Sequence, residues 1–203
     1  MAQKLIAIAF VLTALIILAG CGGAAKYPNY YALHIPPPPD PPAQGGVRAS
    51  LAVREFRSPT YLHQGAIVYK TTPEQIGFYN YHRWAVDPRE VVTNAVTDRL
   101  QASGNFTQVK PYDGRSDIDY ILSGRIEKLE EIDYDGGVKV EVAISAQMTN
   151  LATGEAAWTN TVDEIGTVGQ RDVPEVISEM NRTMERALEK LLTPSPAPSA
   201  IKG

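Results

Sequence analysis

Cysteine is nearly missing from this 203-residue chain, and Cys21 stands alone. No intrachain disulfide can form, so the fold must rest on a buried core whatever its compartment. Histidine is also scarce. His34, His63 and His82 are the three, and none lies in an HExxH pattern or at a zinc-ligand spacing. There is no GxSxG elbow, no phosphate-binding loop and no GxGxxG turn, so the common signatures of hydrolases and nucleotide enzymes are missing. Positive charge is short: 19 basic residues face 23 acidic ones, a net charge of −4. A nucleic-acid binder needs a basic face to displace counterions, and this composition argues against one. It argues equally against a polybasic patch that docks on anionic lipid.

Only one long apolar run is present. It extends from Leu5 to Leu18, follows Lys4, and ends in Ala19-Gly20. A bilayer-spanning helix needs about 20 apolar residues, so the run is short for that purpose. A charged start, an apolar middle and a small-residue end fit a secretory leader.

The run Leu18-Ala19-Gly20-Cys21 resembles the lipobox of bacterial lipoproteins. In that class the leader is removed, and the cysteine carries diacylglycerol on its thiol and an acyl chain on its amine. Residues 1–20 are therefore expected to be a signal peptide, Cys21 the lipidation site, and 21–29 a lipidated tether. Two or more acyl chains suffice for stable anchoring. Gly22 follows the cysteine where Asp would signal inner-membrane retention, which implies an outer-membrane lipoprotein facing the periplasm. Loss of the leader removes only Lys4, leaving 18 basic against 23 acidic groups, a net of −5.

Beyond the tether, periodicity predicts the elements. Tyr30–Ile35 reads as a first strand, followed by the prolines 36–39, 41 and 42, which favour a stiff extended connector. Val47–Phe56 reads as a strand, Ala66–Tyr69 within the stretch 61–69 as a second, and Ile76–Trp84 as an aromatic strand or edge. Asp87-Pro88-Arg89-Glu90 opens a helix with an apolar stripe of Val91, Val92, Ala95, Val96 and Leu100. Short strand 106–109 follows. The long segment 120–132 contains Gly124, which marks a bulge or close packing. Segment 138–149 alternates strictly between apolar and polar residues, and 156–162 returns beside it. Asp172-Val173-Pro174-Glu175 opens a second helix whose stripe runs to Leu191. Glu127, Glu130 and Glu131 read as a solvated edge. Residues 193–203, with three prolines, read as a disordered tail. The order predicts an α+β fold: a single mainly antiparallel sheet with two helices packed on one face, over residues 30–192.

No catalytic constellation stands out, and no cofactor or metal ligand set is expected. Two distant carboxylates meeting in a cleft would be needed for glycoside hydrolysis, and nothing favours that. The most distinctive local feature is the aromatic run ending in Tyr79, Tyr81, His82, Arg83 and Trp84. Tyr, Trp and Arg are the residues that anchor protein interfaces, so these five are candidate partner-binding residues. The plainer reading is packing, with alternate residues buried beneath the first helix. It weighs more for Phe78 and Trp84 than for Tyr81, His82 and Arg83.

Several pieces of the chain occur together in a known order. They are Tyr30-Tyr31-Ala32-Leu33, Leu51-Ala52-Val53-Arg54-Glu55-Phe56, Ser58-Pro59-Thr60-Tyr61-Leu62 and Ile67-Val68-Tyr69-Lys70. Then come Tyr81-His82-Arg83-Trp84-Ala85 and the helix running into Leu100-Gln101-Ala102-Ser103-Gly104-Asn105-Phe106. This series resembles the ABC-type transport auxiliary lipoproteins over about residues 30–190. The proline cluster and the C-terminal tail depart from the family pattern. The resemblance implies a partner of ABC transporters that carry MCE-domain subunits, in systems that move lipid between the inner and outer membranes. It implies no catalytic residue and no cofactor, and it suggests assembly into a homo-oligomer. Two rivals remain open: an outer-membrane assembly factor for lipopolysaccharide or secretion, and a lipid carrier with an apolar cavity between sheet and helices.

Overall fold

The computed structural model describes residues 26–38, 49–114, 117–134 and 136–196. The leader, Cys21, most of the tether, the second half of the proline cluster and residues 197–203 lie outside them.

The strongest sequence pattern gives the strongest structure. β6 (Tyr120–Ile132), β7 (Lys139–Asn150) and β8 (Ala156–Thr167) form an antiparallel meander. Along β7, Val140, Val142, Ile144, Ala146 and Met148 are buried on one face, as period-two alternation dictates. The free edge of β6 is divided between two partners. Its first residues, Tyr120–Leu122, pair in parallel with β2 (Ser50–Val53). Its last, Glu131 and Ile132, pair in parallel with β3 (Ala66–Thr72). Beyond β2 lies β5 (Gln108–Pro111), again parallel. Beyond β3 lies β4 (Gln75–Trp84), antiparallel, and then the short edge strand β1 (Asn29–Tyr31), parallel to the end of β4.

The α+β expectation is thus met by an eight-stranded sheet. It is mixed: the longest pairings are antiparallel, while β1, β2, β3 and β5 contribute parallel joins. Parallel neighbours need long connections. Here α1 (Pro88–Ala102) links β4 to β5. The predicted caps form. Asp87 accepts a hydrogen bond from the Arg89 backbone N–H, and Asp172 accepts one from that of Glu175 at the start of α2 (Val173–Leu191). α1 buries Val92, Val96 and Leu100. α2 buries Val176, Ile177, Met180, Met184, Ala187, Leu188 and Leu191 against β7 and β8. Both stripes belong to one core cluster, so both helices cover the same face of the sheet. A fully buried side chain such as Met184 or Leu188 contributes roughly 1.5–3 kcal/mol relative to exposure.

Two segments differ from the periodicity reading. The first strand stops at Tyr31, and residues 33–38 run instead as a strap over the helices. Leu33 is buried, the His34 N–H donates to Asn181 Oδ1 of α2 at 3.1 Å, and Pro36–Pro38 lie along α1. A proline run cannot feed a ladder, so it packs by its rings. Thr60–Gln64 forms one 3₁₀ turn, Gly65 takes a left-handed φ of +70°, and the expected strand then begins at Ala66. The second difference concerns the acidic edge. Glu127 is solvated, but Glu130 and Glu131 are buried at 0% and 3% exposure. They lie past a register shift between Ile126 and Lys128, where β6 is covered on both faces and Leu129, Glu130, Glu131 and Ile132 are all buried. Glu130 then meets Lys70 at 2.8 Å, and the Tyr61 hydroxyl donates to it at 3.3 Å. Burial and the neighbouring Glu130 charge push the Tyr61 hydroxyl up to about 12.

Candidate functional site

The aromatic run lies on β4, where the pairing with β3 breaks. Ala66 pairs with Arg83, yet Val68 pairs with Phe78, so two steps along β3 match five along β4. Tyr79 to His82 occupy this bulged stretch. A bulge re-aims side chains and locally raises twist, and here it divides the five candidate residues.

Tyr79 turns inward. Its hydroxyl donates to Glu131 Oε2 at 2.8 Å, and its ring sits 4.9 Å from that of Tyr69. Burial, with the hydrogen bond to Glu131, drives its hydroxyl well above the ordinary phenol range. Burial also raises the Glu131 carboxyl, against the opposing pull of the Tyr79 hydrogen bond and the Arg171 charge. His82 meets the Tyr79 ring edge-on at 5.5 Å and stacks on Tyr31 at 5.6 Å. His82 Nδ1 and the Tyr31 hydroxyl share a hydrogen bond of 2.9 Å. Trp84 is 5% exposed and belongs to the core. These three side chains are therefore engaged within the fold.

Tyr81 and Arg83 remain on the outer side. Tyr81 is 39% exposed, and the Lys26 ammonium lies 4.8 Å from its ring centroid. Arg83 Nη1 donates to the Gln64 carbonyl at 3.0 Å. Arg83 is the register partner of Tyr30 on β1, so the two project to the same side. Tyr30 and Tyr27 are among the most exposed large side chains described, at 64% and 82%. Neither was singled out by sequence reasoning, which placed Tyr27 in the tether and Tyr30 in a strand. The available signal was the doublet Tyr30-Tyr31, since alternation along a strand turns one ring in and the other out.

Elsewhere little resembles a reaction centre. Among the described residues no group of three His, Cys, Asp or Glu could hold a metal ion, and no helix is long and apolar enough to cross a membrane. The space between sheet and helices is filled by Val92, Leu100, Met180, Met184 and Leu188, each at most 1% exposed. A groove of about 400 Å³ opens between the C-terminal ends of α1 and α2 beside Pro37 and Pro38.

Residues 31–191 match the sequence profile of the ABC-type transport auxiliary lipoprotein component family. The chain belongs to that family. No curated protein matches this auxiliary lipoprotein in sequence. Among solved structures, a Xanthomonas campestris protein superposes with a TM-score of 0.69 at 16% identity, covering 81% of this chain and 92% of its own. A Chlamydia trachomatis protein gives a TM-score of 0.51 at 7% identity, covering 73% of this chain and 95% of its own. At such identities the likeness establishes a shared fold. The auxiliary lipoprotein thus has its transport association from the sequence profile and its architecture from both sources.

Proposed function

We propose that this protein is a lipid-anchored, non-catalytic adaptor of an MCE-type ABC transport system, facing the periplasm and supporting lipid transport between the inner and outer membranes. Membership in the auxiliary lipoprotein family carries this reading. The Leu18-Ala19-Gly20-Cys21 motif supports the anchor, and Gly22 supports the outer membrane as its site. The side chains that fill the space between sheet and helices favour an adaptor over a carrier with a cavity there. Within this reading the edge formed by β1 and β4 makes the domain's external contact. Tyr79, His82 and Trp84 hold its shape, while Tyr81 and Arg83 face outward.

The test is crosslinking in cells, followed by affinity purification of the tagged, lipidated protein and mass spectrometry. Recovery of an MCE-domain subunit with its ABC permease is the expected result. Crosslinked copies of the chain itself would identify a homo-oligomer in the same experiment. Recovery of lipopolysaccharide-assembly or secretion components in place of a permease would overturn the pathway.

A further inference from the structure

The outward contact of the β1–β4 edge can be assigned a partner class. Among the described residues the exposed large apolar side chains are Tyr27, Tyr30, Ile76, Tyr81, Val86, Tyr134, Leu151 and Ile165. Four of them gather at one place. Tyr27 and Tyr30 flank or lie in β1, Tyr81 is on β4, and Val86 follows Ala85, whose N–H donates to the Tyr31 carbonyl at 2.8 Å. Lys26 over Tyr81 and Arg83 beside Tyr30 add two cations to this edge. The others are dispersed over the far end of β4, the turns at either end of β7, and β8.

Three tyrosines with two cations form a surface of a particular kind. Tyrosine has an apolar body and a polar tip, and it concentrates where hydrocarbon meets water. Lysine and arginine there keep their charges among headgroups while their stems cover apolar surface. Position along the chain supplies the second observation. Tyr27 is six residues after Cys21, and a fully extended chain spans at most about 3.6 Å per residue, so roughly 20 Å separates them at most. If Cys21 carries the acyl chains, this edge cannot stand farther from the bilayer than that. The other exposed apolar residues have no such tether.

We infer that the edge bearing Tyr27, Tyr30 and Tyr81 rests in the headgroup layer of the membrane that holds the anchor. The inference rests on the lipid-anchor reading above and extends it. The acyl chains hold the protein, and the tyrosines fix its orientation, with β1 toward the lipid and the β7–β8 meander pointing away. With only two cations, contact depends on aromatic partitioning more than on charge, so it persists at high salt.

The chain's cysteine economy makes the test clean. In the lipidated protein Cys21 has no free thiol, so one introduced cysteine takes a fluorophore uniquely. Tyr27→Cys, Tyr30→Cys and Tyr81→Cys, with Tyr134→Cys as control, are made in the full lipidated chain. Each is labelled with an environment-sensitive dye and reconstituted in phosphatidylethanolamine–phosphatidylglycerol vesicles containing headgroup-nitroxide lipid. The three edge labels should lose most of their emission, at low and high salt alike, while the control keeps its own. Vesicle flotation reads the anchor separately. Protein that floats but shows edge labels no more quenched than the control overturns the headgroup assignment and leaves the anchor intact. Edge labels that respond only when an MCE-domain subunit is added assign the edge to a protein partner instead. Failure to float overturns the anchor and this inference together.

Discussion

Gly124→Ala should destabilise the domain by an amount that the structure bounds. Gly124 lies on β6 against the ring of Phe56, which is 1% exposed. A Cβ at position 124 would fall 2.2 Å from Cε1 and Cζ of that ring and 2.6 Å from Cδ1. Ordinary carbon contacts begin near 3.5 Å, so the ring or the strand must retreat by more than 1 Å. Neither has an easy way out. The ring is enclosed by core, and Gly124 is held in register opposite Ala146 of β7. Overpacking of this kind costs typically 1–3 kcal/mol, and the size of the overlap places this case near the upper end. For a domain of this size, about 2–4 °C of midpoint is lost per kcal/mol, so a drop of roughly 5–10 °C is expected in a thermal melt. Phe56→Leu separates the cause from a general effect on the strand. Alone it should cost stability by leaving a void, but combined with Gly124→Ala the loss should be smaller than the sum of the two. An unchanged midpoint for Gly124→Ala would refute the argument, as would strictly additive losses.

Three further outcomes are expected. Asp87→Ala removes the cap of α1 and a carboxylate paired with Arg89 at 2.6 Å, and should lower stability by about 1 kcal/mol in chemical denaturation. Trp84→Ala should cost about 3–5 kcal/mol by emptying a core site, whereas Tyr81→Ala should stay within about 0.5 kcal/mol; equal losses would deny that the aromatic run is divided between core and surface. Glu131→Gln tests the buried carboxyl through pH. Its folded pKa is raised, so the charged form is a penalty that is full above that pKa and fades as pH falls toward the ordinary glutamate value. The variant should gain on the parent protein in melts at neutral pH and lose that advantage on acidification; a gain that grows on acidification would reverse the assignment.

The parts legible in the sequence were those where one periodicity dominated. The alternation along 138–149 became β7, and the Asp87-Pro88 and Asp172-Val173-Pro174 starts became capped helices. Gly124 was legible as a point of close packing, though its partner Phe56, far away in sequence, was not. What stayed hidden depends on contacts between distant segments. Nothing local shows that β2 and β3 would meet β6 in parallel, since parallel pairing leaves no short-turn signature. Glu130 and Glu131 look solvated by composition, but Lys70 and Tyr61 meet the first and Tyr79 the second, all from distant segments of the chain. The aromatic run was visible as a feature, but the bulge that sends Tyr79 and His82 inward was not.

The divided edge of β6 has a consequence in time. β2 and β3 are made early, yet the strand both require begins only at Tyr120. Until that residue is available, β1–β4–β3 and β2–β5 have no strand to join them, and the edges that await β6 stay open to chaperones and proteases alike. A chain truncated before β6 would not yield a smaller domain. It would yield the same two strand groups unjoined, a species that quality control would have to remove.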